Sequence, residues 1–150
     1  MSSSRGVATY APRQESINLG IMWTVKIDKA DEMFSIFIRV RDKWCQRCKR
    51  FGGYDANGRQ ITGLQNSHYF GRGRESTRFD PQNCDALCAA CHLIWGSNDK
   101  EGYREFKIKQ IGMKAFKALR IRAALTGRKD RKLALIVATN LLEDLENGNR

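Results

Sequence analysis

The chain has 150 residues, enough for about one domain with a modest core. Lys and Arg number 27 against 16 Asp and Glu, and the resulting charge of +11 at pH 7 favours a polyanionic partner, nucleic acid being the first candidate. No stretch approaches the roughly 18 apolar residues of a membrane span and no apolar run of signal-peptide length follows Met1, so a soluble cytoplasmic protein with no membrane partner is expected.

In chain order, residues 1–16 are polar and Ser-rich and read as a disordered arm. Over 28–44, Ala30, Met33, Phe34, Phe37, Ile38 and Val40 recur near helical period behind Asp28, a residue suited to an N-cap. This predicts one amphipathic helix leading into Cys45. Residues 45–48 should form a turn, and 52–58, with their Gly and Asn, a hairpin loop. A strand is predicted over 60–70, ending near His68, followed by a loop over 71–77 that carries Arg72 and Arg74. A short extended piece over 78–81 then precedes a helix over 85–95.

Beyond Asn98, helices are predicted over 100–110, 113–126 and 129–146, parted by Gly112 and Gly127. Residues 100–132 hold 12 Lys and Arg against 3 Asp and Glu, a net of +9, so most of the basic surplus sits in one helical block. On the middle helix Lys114, Lys117 and Arg120 line one face while Met113, Phe116, Leu119 and Ala123 line another. The basic face is either solvated or a phosphate-binding surface. The last helix, with Leu133, Ile136, Val137, Leu141 and Leu145, belongs to the core or to a contact with a second copy of the chain. The division expected is an arm over 1–16, an α+β core with its leading helix over 17–99, and a basic helical extension over 100–150.

Four of the five cysteines form two CxxC pairs, Cys45 with Cys48 and Cys88 with Cys91, separated by 39 residues. Each pair can supply two thiolates to one ion from a tight turn, and four close a tetrahedron without an open position, the signature of a structural zinc. A redox CxxC is expected singly, near a strand-helix unit, rather than as two pairs. Cys84 is left over and is most simply a small buried hydrophobe.

The chain has only two histidines, and both fall among these cysteines in the spacing His68-x14-Asn83-x8-His92. The run LQNSHYFGRGRESTRFDPQNCDALCAACH, residues 64–92, resembles the HNH motif of the His-Me finger nucleases, most of all the NinG recombination endonucleases of lambdoid phages. A weaker likeness continues through DEMFSIFIRVRDKWCQRC upstream and GYREFKIKQIG downstream, so it covers about residues 31–112. The resemblance implies a zinc-stabilised ββα-metal finger flanked by an N-terminal helix and C-terminal helices. It further implies a DNA endonuclease that hydrolyses phosphodiester bonds with catalytic Mg2+ or Mn2+ in recombination or DNA processing, with branched DNA among its substrates. If the chain is phage-encoded, the compartment is the cytoplasm of a bacterial host.

By the same resemblance His68 is the general base, His92 a ligand of the catalytic metal, and Asn83 the residue that ties the loop to the strand and holds the His68 ring. The chain departs from the pattern in two places: Ser67 stands before the base, where many members have an acid or a second histidine, and Gly96 stands one helical turn beyond His92. Ser67 and His92 are then the implied metal-binding pair, with Asn66 or Asp99 as further candidates, and metal affinity without DNA should be weak. Arg72, Arg74, Lys114, Lys117 and Arg120 are the expected DNA contacts, and Arg78 is expected to be structural. The alternative is a zinc-stabilised DNA-binding protein that does not cut and is indifferent to His68. A homodimer is compatible with either.

Overall fold

The computed structural model describes residues 27–148. The arm expected over 1–16 lies outside the described residues. Within them the fold is α+β, with two small antiparallel sheets and five α-helices, and no helix is long and apolar enough to cross a membrane.

Helix α1 (Lys29–Asp42) starts at Asp28 as the sequence predicts, through a reciprocal capping box. Asp28 accepts from the Asp31 N–H at 3.0 Å, and Asp31 accepts from the Asp28 N–H at 3.1 Å. It ends at Lys43, left-handed at φ 62°, and buries Ala30, Phe34, Phe37 and Ile38. The hairpin of β1 (Gly53–Tyr54) and β2 (Gln60–Thr62) follows, its turn held by Asp55, which accepts from the N–H groups of Asn57 and Arg59.

Three sequence expectations are corrected here. The strand predicted over 60–70 is broken at Gly63, whose φ of +77° suits a residue without a side chain. β2 therefore pairs with β1, while β3 (Leu64–His68) pairs with β4 (Cys84–Cys88) in another sheet. The helix predicted over 85–95 begins only at α2 (Ala89–Leu93), because residues 84–88 are strand. All five residues of β4 are buried, so the period-two signal that marks a half-exposed strand is missing. The extended piece expected over 78–81 gives way to turns and a 3₁₀ turn at Pro81–Asn83 capped by Asp80.

A π-helical turn at Ile94–Asn98 links α2 to α3 (Lys100–Ile111), and α4 (Met113–Ala124) and α5 (Arg131–Glu146) complete the chain in the register the sequence predicts. Helix α5 lies along α1 through the small residues Ala134 and Ala138 and through Leu142, so one core runs from Phe34 through β3 and β4 to Tyr103 and Leu142. The α4–α5 connection presses on the 71–77 loop: a Cβ on Gly127 would stand 2.1 Å from the Ser76 nitrogen, leaving no room for any side chain.

Candidate functional site

The four CxxC cysteines converge. Cys45 and Cys48 come from the loop after α1, Cys88 ends β4 and Cys91 lies in α2, and their Sγ atoms all fall within 4.8 Å of one another. Four sulfurs about 2.3 Å from one ion lie about 3.8 Å apart on a tetrahedron, and Cys48 and Cys88 are separated by 3.8 Å. As a free thiol Cys91 is pushed up to about 12, first by burial and then by its three thiol neighbours, against an Arg47 guanidinium that donates to its sulfur. Packed this closely the sulfurs ionise together only around a cation, and the cluster can hold a metal ion such as zinc.

On the other side of α2, His68 and His92 line one open cavity of about 600 Å³ together with Asn66, Ser67, Arg72 and Lys100. Among its described lining residues none is a carboxylate. His68 ends β3 opposite Cys84, and its Nε2 lies 2.9 Å from the Arg78 carbonyl. A carbonyl only accepts, so Nε2 carries the proton and Nδ1 keeps the lone pair. Burial lowers the pKa of His68 from 6.5 to about 4, with Arg72 and Arg78 adding to the effect and the Arg78 carbonyl and Asp31 opposing it. His92 is held by Gln65, whose Oε1 is 2.8 Å from Nδ1, leaving the Nε2 lone pair free, and burial followed by Arg72 and Lys100 lowers its pKa too. Asp99, another candidate ligand, is engaged at the N-cap of α3 by the Gly102 N–H.

Asn83 is fully buried and closes the loop between β3 and β4. Its Oδ1 accepts from the Phe70 N–H at 2.8 Å, and its Nδ2 donates to the carbonyls of Phe70 and Thr77 at 2.9 and 3.0 Å. These bonds tie two parts of the loop beyond β3 to each other, and the His68 ring is held by the Arg78 carbonyl rather than by Asn83 as expected. Arg78 is 3% exposed and structural as expected, its guanidinium forked onto Asp31 of α1 and reaching Glu75. Glu75 is gripped in turn by both terminal nitrogens of Arg131 on α5, at 2.7 Å each.

Asn66 is 6% exposed, and its Oδ1 is buried without any hydrogen-bond partner. Almost all buried polar atoms have one, and this unmet acceptor belongs to a residue that lines the same cavity as His68 and His92. Of the basic residues, Arg72 is at the cavity, whereas Arg74 donates to the Ala123 carbonyl at the end of α4. Lys114, Lys117 and Arg120 are exposed on α4, opposite the buried Phe116, Leu119 and Ala123; Met113, expected with the apolar face, is 46% exposed.

Sequence reasoning missed the groups behind β3 and β4. Asp85, Tyr103 and Lys107 are all 0% exposed. Tyr103 and Lys107 donate to Asp85 Oδ2 at 2.8 and 3.0 Å, and Gln110 donates to Oδ1 at 2.8 Å. The Tyr103 hydroxyl also reaches the carbonyl of Ser67, next to His68, and its ring stacks on Trp95 at 4.7 Å. An acid in β4 facing a lysine among basic-helix residues carries no periodic signal, so only the fold reveals the pairing. No protein-family model, no curated protein and no solved structure matches this chain.

Proposed function

We propose that the protein is a metal-dependent DNA endonuclease of HNH type, acting in recombination or DNA processing, with a structural zinc on Cys45, Cys48, Cys88 and Cys91. The observation that carries the reading is the shared cavity: a neutral imidazole from the end of β3 and another from α2 face one space rimmed by Arg72 and Lys100. In it His68 Nδ1 takes the proton of the attacking water, since Nε2 is spent on Arg78. Asn83 fixes the loop, and with it the carbonyl that orients the base. Arg72 and Lys100 offer positive charge to a DNA phosphate.

The His92 Nε2 and the unmet Asn66 Oδ1 suit a divalent cation, and Asn66 fits that task on its orphaned oxygen better than Ser67. Mg2+ or Mn2+ bound there would polarise the scissile phosphate and stabilise charge on the leaving oxygen. With two neutral ligands and no carboxylate, hard cations are held weakly until a phosphate joins them.

The missing carboxylate also favours a second reading, a zinc-stabilised DNA-binding protein that does not cut. Labelled linear and branched DNA incubated with Mg2+ or Mn2+ separates the two. The endonuclease cleaves, and His68→Ala abolishes cleavage while binding persists; no cleavage of any substrate by the wild type leaves only the binding protein.

A further inference from the structure

The loop that carries Cys45 and Cys48 runs into the β1–β2 hairpin, and its outer surface takes no part in the cavity. Between Lys43 and Tyr54 the chain holds four bases, Lys43, Arg47, Lys49 and Arg50, and no acid. The acids on either side are occupied: Asp42 with Arg41 and the Ala86 N–H, Asp55 with the N–H groups of its own turn. Arg47 is turned to the Cys91 sulfur, while Lys43, Lys49 and Arg50 are exposed and form no ion pair among the described residues. A dication on four thiolates contributes about −2, so the segment stays positive.

The same segment leaves three aromatic rings in water: Trp44 at 37%, Phe51 at 66% and Tyr54 at 71% exposure. Single exposed apolar residues need no explanation, but three aromatics within one basic turn are a grouped feature. Trp44 and Phe51 are cross-strand partners, edge to face with centroids 5.6 Å apart, on a loop that the cysteine cluster pins. Rings held this way need little ordering before a flat partner docks on them. Positive charge selects a polyanion, and exposed rings select one whose flat faces are unpaired, because a duplex hides its bases in the stack.

We propose that Trp44, Phe51 and Tyr54, with Lys43, Lys49 and Arg50, form a stacking platform for single-stranded DNA, separate from the histidine cavity. The choice of DNA over RNA follows the substrate class proposed for the cavity; the stacking itself does not depend on cleavage. Backbone phosphates meet the three free cations, and successive bases lie on the rings with little sequence preference.

The test is fluorescence anisotropy in magnesium-free buffer with labelled twelve-nucleotide probes: oligo-dT, its abasic counterpart, oligo-U and a duplex of equal length. Wild-type protein should bind oligo-dT at least about tenfold more tightly than the abasic strand, which has the same phosphates and no bases. Phe51→Ala with Tyr54→Ala, both at exposed positions, should weaken oligo-dT by about tenfold or more and duplex by less than threefold. Lys49→Ala with Arg50→Ala should lower the salt slope of log affinity by about 1.4, from two released counterions. Equal binding of dT and abasic strands overturns the platform without any variant having to fold, as does an equal loss of single-strand and duplex binding in the aromatic variants. Oligo-U bound more tightly than oligo-dT overturns the choice of DNA. These affinities are read without metal or cleavage, so a failure of the cleavage reading and a failure of the platform show in different measurements.

Discussion

The His68 ring has its tautomer chosen by a backbone carbonyl and its charge suppressed by burial. An imidazole at its ordinary pKa would give cleavage that climbs between about pH 5 and 8. With His68 at about 4 the proposed base is already neutral across that range, so its limb of the rate profile should fall below pH 5. The chain has two histidines, so each ring can be followed by NMR: the His68 carbon-bound protons should hold their neutral shifts down to about pH 5, and a midpoint near 6.5 would contradict the burial argument. Stability follows the same shift. The folded pKa lies below the unfolded one, so the contribution of His68 is complete above about 6.5 and is lost as pH falls toward 4. Asn66 gives a second residue-level prediction. If its orphaned oxygen is a ligand, Asn66→Ala should weaken Mn2+ binding in the presence of uncleavable DNA by about tenfold or more, read by Mn2+ EPR, while Ser67→Ala changes it little. A loss in Ser67→Ala with little change in Asn66→Ala would return the role to Ser67.

Among the elements, α3 is fastened to β4 by a charge pair with no solvent access. Lys107→Met removes the cation and strands Asp85, whose oxygens are otherwise shared by Tyr103 and Gln110. Uncompensated buried charges of this kind cost about 3–5 kcal/mol, which chemical denaturation would register as a fall in midpoint, and adding Asp85→Asn to Lys107→Met should recover a large part of the loss. Legibility also divides by element. Helix α1 and the three C-terminal helices were readable from their apolar periods and from Asp28, Gly112 and Gly127 at their boundaries, whereas the caps at Asp99 and Asp130 show only in the structure. Strand β4 was not, because a strand buried on both faces has the same composition as a buried helical turn. The four sulfurs were legible from spacing and the two histidines from their rarity, whereas Asp85, Lys107 and the carbonyl of Arg78 act through contacts between distant segments.

At the scale of the molecule, the cysteine cluster joins the loop after α1 to the start of α2, and the core it braces is shared by both ends of the described chain. Chelation should therefore do more than loosen a loop: added EDTA or a stronger chelator is expected to lower the thermal midpoint by more than about 10 °C and to release one zinc per chain. A midpoint that does not move would show the cluster to be dispensable. Helix α5 keeps Leu133 and Ile136 57% exposed and Val137 40% exposed, so only part of its apolar surface is used against α1. If a second copy covers that face, sedimentation at micromolar concentration should give a dimer that Ile136→Glu converts to a monomer.

The cradle of the proposed base is assembled from parts far apart in the sequence. His68 leans on the carbonyl of Arg78; the Arg78 side chain is locked by Asp31 and Glu75; Glu75 is gripped by Arg131, whose Nε lies 2.6 Å from Asp28. A chain synthesised only as far as α4 already contains both histidines and all four sulfurs, yet lacks the arginine that closes this relay. The order of synthesis thus delays the last contact around the proposed base until α5 has been made and has docked on α1.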